Sequence, residues 1–192
     1  MDRKSLGTLP DDLPIPVDDG ACDHLPGQRL PAIALPATTG GPVDLSQLPP
    51  STVIYAYPRT GLPDEPLPDG WDAIPGARGC TPQACDFRDH RSELSALGAN
   101  VYALSTQDTA HQQEMAERLH LPFPVLSDAD LALVKALRLP TFDVEIKGRA
   151  ATLIKRLTLI VQDGVIEKVF YPVFPPDGHA RTIITYLREN AE

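Results

Sequence analysis

Gly79-Cys80-Thr81-Pro82-Gln83-Ala84-Cys85-Asp86-Phe87-Arg88-Asp89-His90 is where a long irregular stretch gives way to a helix. Thr81 can cap a helix, and Pro82 suits a first turn, where a missing N–H costs little. The helix is expected to run to about Leu97, with Gly98 ending it. Upstream, Thr52-Val53-Ile54-Tyr55-Ala56-Tyr57 is a β-branched and aromatic run, as in a strand buried on both faces, and Pro58 stops it. A loop rich in proline and glycine, residues 59–79, joins strand to helix, and loops this long in a compact domain usually carry function.

Further upstream, residues 29–48 read as a small β-hairpin turning at Thr39-Gly40-Gly41. Downstream come a strand at Asn100–Ser105, a helix at Gln107–Leu119 with Thr109 as its cap, a strand at Phe123–Leu126 and a helix at Asp128–Leu137. Ala151–Gln162 and Val165–Tyr171 are apolar runs joined by Asp163-Gly164, a strong hairpin signal. Asp177–Arg188 closes the chain as a helix. The order predicts an α/β protein, with parallel crossovers first, an antiparallel hairpin last, and helices on both faces of a central mixed sheet.

The 192 residues suit one domain, expected at 28–192, with residues 1–27 as an extended N-terminal arm. Fourteen of the 21 prolines fall in the first 75 residues. A formal charge of −9 argues against nucleic acid or an anionic membrane as partner. No apolar run is long enough to span a bilayer, and the N-terminus lacks an apolar signal-peptide core, so a cytoplasmic location is expected. Three cysteines are too few and too uneven for a secreted disulfide framework.

Cys80 enters a helix at its N-terminus, where unpaired N–H groups and the helix dipole favour a thiolate. A thiolate oxidised by peroxide first gives a sulfenic acid. Cys85 lies five residues on. Helical geometry puts the two Cα atoms about 8–9 Å apart, whereas a disulfide needs less than about 7 Å. If Cys85 resolves Cys80, the first turns must unwind. Other readings stay open on spacing alone: two small core residues, or a zinc site with His90, although the spacing is not a standard metal pattern. The C-x-x-C of a thioredoxin-type dithiol is absent.

The string from Gly79 to Asp89 resembles the active-site helix of peroxiredoxins, most nearly the Q-type or bacterioferritin-comigratory subgroup. Val53–Pro58, Val101–Ser105, Leu126–Asp128 and Lys155-Arg156-Leu157-Thr158-Leu159-Ile160 resemble that family's strands. The resemblance implies a thioredoxin-like fold with Cys80 as peroxidatic and Cys85 as resolving cysteine. It also implies Arg156 as the group that stabilises thiolate and peroxide. The activity implied is reduction of hydrogen peroxide and organic hydroperoxides without metal or organic cofactor, followed by recycling through thioredoxin or a similar dithiol. A monomer or weak homodimer is expected. The rival reading is a redox-sensing binding module of the same fold without significant turnover.

Arg156 has a reading of its own. It is expected to share a strand face with Ile154, Thr158 and Ile160, where a charge requires a partner. The chain departs from the family's Pro-x-x-x-Thr-x-x-Cys, since Ala77 and Ala73 occupy the corresponding positions. An insertion of about fifteen residues after Pro58 accounts for this, and Thr60 is the candidate to supply the hydroxyl. His90 reads as a surface or capping group, Cys22 as a passenger, and Trp71 as an anchor that pins the loop.

Overall fold

The computed structural model describes residues 7–191. The strands are β1 (Ala34–Leu35), β2 (Val43–Asp44), β3 (Ser51–Ala56), β4 (Asn100–Ser105), β5 (Val125–Ser127), β6 (Thr141–Ile146), β7 (Arg149–Ile154), β8 (Leu157–Gln162) and β9 (Val165–Phe170). The α-helices are α1 (Cys80–Asp89), α2 (Arg91–Ala96), α3 (Thr109–Leu119), α4 (Ala132–Leu137) and α5 (His179–Glu189). The central sheet has the order β5-β4-β3-β8-β9. Pairing is parallel from β3 to β5 and antiparallel through β8 and β9, so the expected mixed sheet is present.

β3 sits in the middle, which is why it carries no polar alternation. Val53, Tyr55 and Tyr57 face a core with Phe87 of α1, Leu94 of α2, Met115 of α3 and Ile183 of α5. Ile54 and Ala56 face a second core with Leu133 and Leu137 of α4 and with Leu35 and Leu45. Each face thus acquires its own helical layer. Leu25, fully buried, and Cys22 also enter this second core, so this part of the stretch before residue 28 is packed against the body, although the described residues 7–27 form no helix or strand. The part of the arm at residues 1–6 lies outside the described residues.

Several boundaries differ from expectation. α1 starts at Cys80, not at Thr81-Pro82, because Gly79 takes the cap position with φ 102°. The expected single helix to Leu97 is two, broken at His90. Asp108, not Thr109, caps α3, its carboxylate accepting from the His111 N–H at 2.8 Å. α4 begins only at Ala132, with Asp128 accepting from the N–H groups of Leu133 and Val134. The run read as one strand, Ala151–Gln162, is cut at Lys155-Arg156, and its first half pairs with an unexpected strand to form the β6–β7 hairpin. The Asp163-Gly164 turn is as expected, with φ of 50° and 77°, the pair of positive values that a tight hairpin requires.

The hairpin β6–β7 supports the loop at residues 59–79. Trp71, Ala77 and Leu153 form a third, small core joined by Leu67, Ile74, Phe142, Val144 and Ala151. Lys147 in the hairpin turn pairs with Glu65 of the loop at 2.7 Å.

Candidate active site

Cys80 is the first residue of α1 and is 3% exposed. Its backbone position follows from Gly79, whose left-handed φ lets the loop turn sharply into the helix. A Cβ on Gly79 would stand 2.4 Å from Pro176 Cγ and 2.8 Å from Leu9 Cδ2. Pro82 has no N–H, and the Gln83 N–H donates to Gly79 O at 3.0 Å. The donors at the mouth of the helix are therefore the N–H groups of Cys80 and Thr81.

Arg156 reaches this mouth from the break between β7 and β8. It is 3% exposed, which excludes an edge arginine facing water. Its guanidinium donates to Cys80 Sγ at 3.1 Å, to Ala77 O and Arg78 O, each at 3.1 Å, and to Gly76 O at 3.2 Å. A further bond goes to Gln83 Oε1. The face expected for Arg156 is partly corrected. Ile160 lies in the same core as Cys80, and Thr158 meets a helix of that side through His179. Ile154, beyond the break, lies in the core on the other face of the sheet.

Four carbonyl and amide oxygens thus fix the guanidinium while one N–H is aimed at sulfur. This is the planar fork that an arginine supplies and a lysine does not. The Cys80 thiol meets Ala77 O at 3.6 Å, so the residue at the family's threonine position offers a backbone acceptor instead of a hydroxyl.

Thr60 is 1% exposed, which rules out a solvent-exposed turn. Gln107 and His111 of the α3 region hold it. Thr60 N–H and Oγ1–H donate to Gln107 Oε1 at 2.9 and 3.3 Å, and Thr60 O accepts from Gln107 Nε2 at 3.1 Å and His111 Nε2 at 2.9 Å. Thr60 and Cys80 line one cavity of about 20 Å³, together with Arg59, Gly61, Leu67, Trp71, Arg78, Gly79 and Thr81.

Cys85 is partly buried in α1, and burial raises its thiol pKa above the ordinary value. Cys80 and Cys85 are both free thiols on the intact α1. Cys22 is buried near Asp19, Asp18 and Asp23; burial first, then those carboxylates, push its thiol up to about 12. His90 ends α1, its Nδ1 donating to Asp86 O at 2.8 Å while Nε2 accepts from Arg181 at 3.3 Å, a capping role. Among the described residues no group of three His, Cys, Asp or Glu side chains is placed to hold a metal ion, so Cys80, Cys85 and His90 do not converge. Trp71 is an anchor, buried in the small third core.

Three groups at or near the site escaped the sequence reading. Gln83 is fully buried, binds Arg156 through Oε1, and leaves its Nε2 without a hydrogen-bond partner among the described residues. Gln107 orients Thr60 across 47 residues of sequence. The fully buried Tyr55 stacks on Phe87 at 4.3 Å, and burial holds its phenol well above the usual range. For Gln83 a signal existed: three residues beyond Cys80 on a helix lies on the same face.

Comparison with known proteins gives a consistent picture. The redoxin family description matches residues 25–185. The putative peroxiredoxin Bcp of Coxiella burnetii is 31% identical over 163 residues, covering 84% of this chain and 97% of that protein. Peroxiredoxin Bcp of Escherichia coli is 29% identical over 167 residues, covering 86% and 96%. Among solved structures, peroxidoxin BcpB from Mycobacterium tuberculosis superposes with a TM-score of 0.67 at 26% identity, covering 88% of this chain and all of that one.

Proposed function

The chain belongs to the redoxin family and is a peroxiredoxin, and from that premise we propose that Cys80 is the peroxidatic cysteine, Cys85 the resolving cysteine and Arg156 the group that stabilises the thiolate. The protein is a thiol-dependent peroxidase that reduces hydroperoxides. The observation that carries the residue assignment is the 3.1 Å contact from Arg156 Nη2 to Cys80 Sγ at the first residue of α1.

Cys80 thiolate attacks the terminal oxygen of ROOH, the O–O bond breaks, and RO⁻ leaves to take up a proton. Arg156 meets negative charge on sulfur before the reaction and on oxygen as the bond breaks. Its position needs little reorganisation, because carbonyls already fix the other N–H groups. The α1 start then unwinds. Cys85 sulfur attacks the sulfenic acid, water departs, and a Cys80–Cys85 disulfide remains. An external dithiol of the thioredoxin type reduces it by exchange and is itself oxidised. Thr60, buried beside the same cavity, is the hydroxyl assigned to orient the peroxide.

The redox-sensing module without turnover is not favoured, since the relatives are peroxiredoxins. Residues 59–79 are assigned as an insertion into a domain that spans 28–192. A cytoplasmic location and a monomer or weak homodimer belong to the same proposal. No helix among the described residues is long and apolar enough to cross a membrane. The test is a coupled assay with thioredoxin, its reductase and hydrogen peroxide, joined to intact mass before and after one equivalent of peroxide. Multiple turnovers and a loss of two hydrogens confined to the Cys80–Cys85 peptide are expected. Peroxide consumption by Cys80→Ser at the wild-type rate would overturn the assignment.

A further inference from the structure

The cavity that Cys80 lines is far smaller than the cavity that Arg156 lines. The cavity whose wall includes Cys80 measures about 20 Å³. One water needs roughly 10–15 Å³, so this space takes a molecule of hydrogen peroxide size. A cavity of about 300 Å³ also borders Arg156, between Pro16, Ile74, Phe142 and Tyr171, but Cys80 is not part of its wall.

Two side chains of the loop at residues 59–79, Leu67 and Trp71, line the small cavity. Trp71 is not free to swing. It is buried against Ala77 and Leu153, its ring lies 6.2 Å from Phe142, and Asp72 beside it pairs with Arg78 at 2.9 Å. The loop is also tied to the β6–β7 hairpin through Glu65 and Lys147. A large alkyl or aryl group packed inside this cavity would have to displace Leu67 or Trp71 from the third core, at the loss of its buried apolar contact.

We propose that Leu67 and Trp71 form a size filter over Cys80, which makes hydrogen peroxide and the smallest hydroperoxides the preferred substrates over bulky organic ones. The inference rests on the peroxidase reading above and adds to it the substrate class and the residues that set it.

The experiment measures kcat/KM of the full-length protein for hydrogen peroxide and for cumene hydroperoxide in the thioredoxin-coupled assay. The wild type is expected to prefer hydrogen peroxide. Leu67→Ala and Trp71→Ala should each shift the ratio toward cumene hydroperoxide by about tenfold or more, the scale on which pocket volume discriminates. Leu67→Trp should shift it the other way. If Trp71→Ala fails to fold, as judged by circular dichroism, Leu67→Ala decides alone. An active wild type that prefers cumene hydroperoxide, or a ratio unmoved in folded Leu67→Ala, overturns the filter and leaves the peroxidase reading intact. A wild type that consumes neither peroxide defeats the peroxidase reading and the filter with it.

Discussion

Arg156 Nη2 donates to Cys80 Sγ across 3.1 Å, although 76 residues of sequence separate them. The same guanidinium holds the three carbonyls of residues 76–78 that lead into the helix, so one side chain shapes the loop and charges the site. Arg156→Lys keeps the charge but not the fork. The expected result is a fall in kcat/KM for hydrogen peroxide of about 100-fold, the scale for loss of one transition-state donor. Stopped-flow peroxide kinetics measure it.

Gln83 accepts from Arg156 at the back of the site and touches no other described side chain through a hydrogen bond. Gln83→Ala should leave the guanidinium less firmly aimed. Loss of such outer support typically costs roughly 10- to 100-fold, and a fall of this size in kcat/KM with an unchanged far-UV circular dichroism spectrum is the expected outcome.

Burial raises the Cys85 thiol pKa, so this sulfur remains protonated to higher pH than a free cysteine. A raised thiol pKa means that the nucleophilic form grows in as pH rises. The step from sulfenic acid to disulfide should therefore accelerate between pH 7 and 9, by up to about tenfold per unit. The single tryptophan, Trp71, gives a fluorescence signal near Cys80 for rapid mixing. A rate flat across this range would mean that unwinding, not ionisation, limits the step.

Gly79→Ala adds a Cβ against Pro176 and Leu9 at a φ of 102° that only glycine adopts readily. Strain and overlap act together, and the loss should exceed about 1 kcal/mol in urea unfolding. Activity should fall as well, since the helix mouth would shift.

His179 is buried against Phe87 and Phe170, with Nε2 bonded to Thr158 Oγ1 at 2.9 Å. Burial first, and then the Arg156 charge, lower its pKa to about 3. The unfolded chain takes up this proton below about pH 6.5, whereas the folded chain does so only near 3. Its contribution is thus fully present above the unfolded value and is lost on acidification, by at most ~1.4 kcal/mol per pH unit. Thermal unfolding from pH 7 to pH 4 should show this slope, and His179→Asn should flatten it.

The strand-by-strand order was legible because each signal was local. A β-branched run at 52–57, Asp-Gly at 163–164, and a cysteine ahead of Thr-Pro each constrain only their neighbours. The hairpin β6–β7 was overlooked although Thr141–Ile146 alternates polar and apolar residues strictly, the pattern of a half-exposed strand; its partner Arg149–Ile154 carries no such alternation. The break at Lys155-Arg156 escaped notice because apolar residues flank it on both sides and only sheet geometry sends the two halves to different partners.

Within the site, the two cysteines and their five-residue spacing were properties of the chain alone, because helical rise and turn follow from covalent geometry. In the folded chain both are free thiols on one unbroken helix. What the fold alone decided is the surroundings: that Arg156 is buried and aimed at Cys80, that Gln83 and Gln107 hold Arg156 and Thr60 in place, and that Leu67 and Trp71 of an irregular loop line a cavity together with Cys80. Those relations join residues tens of positions apart. They depend on which packing buries the apolar surface best, a property of the whole chain that no short stretch contains.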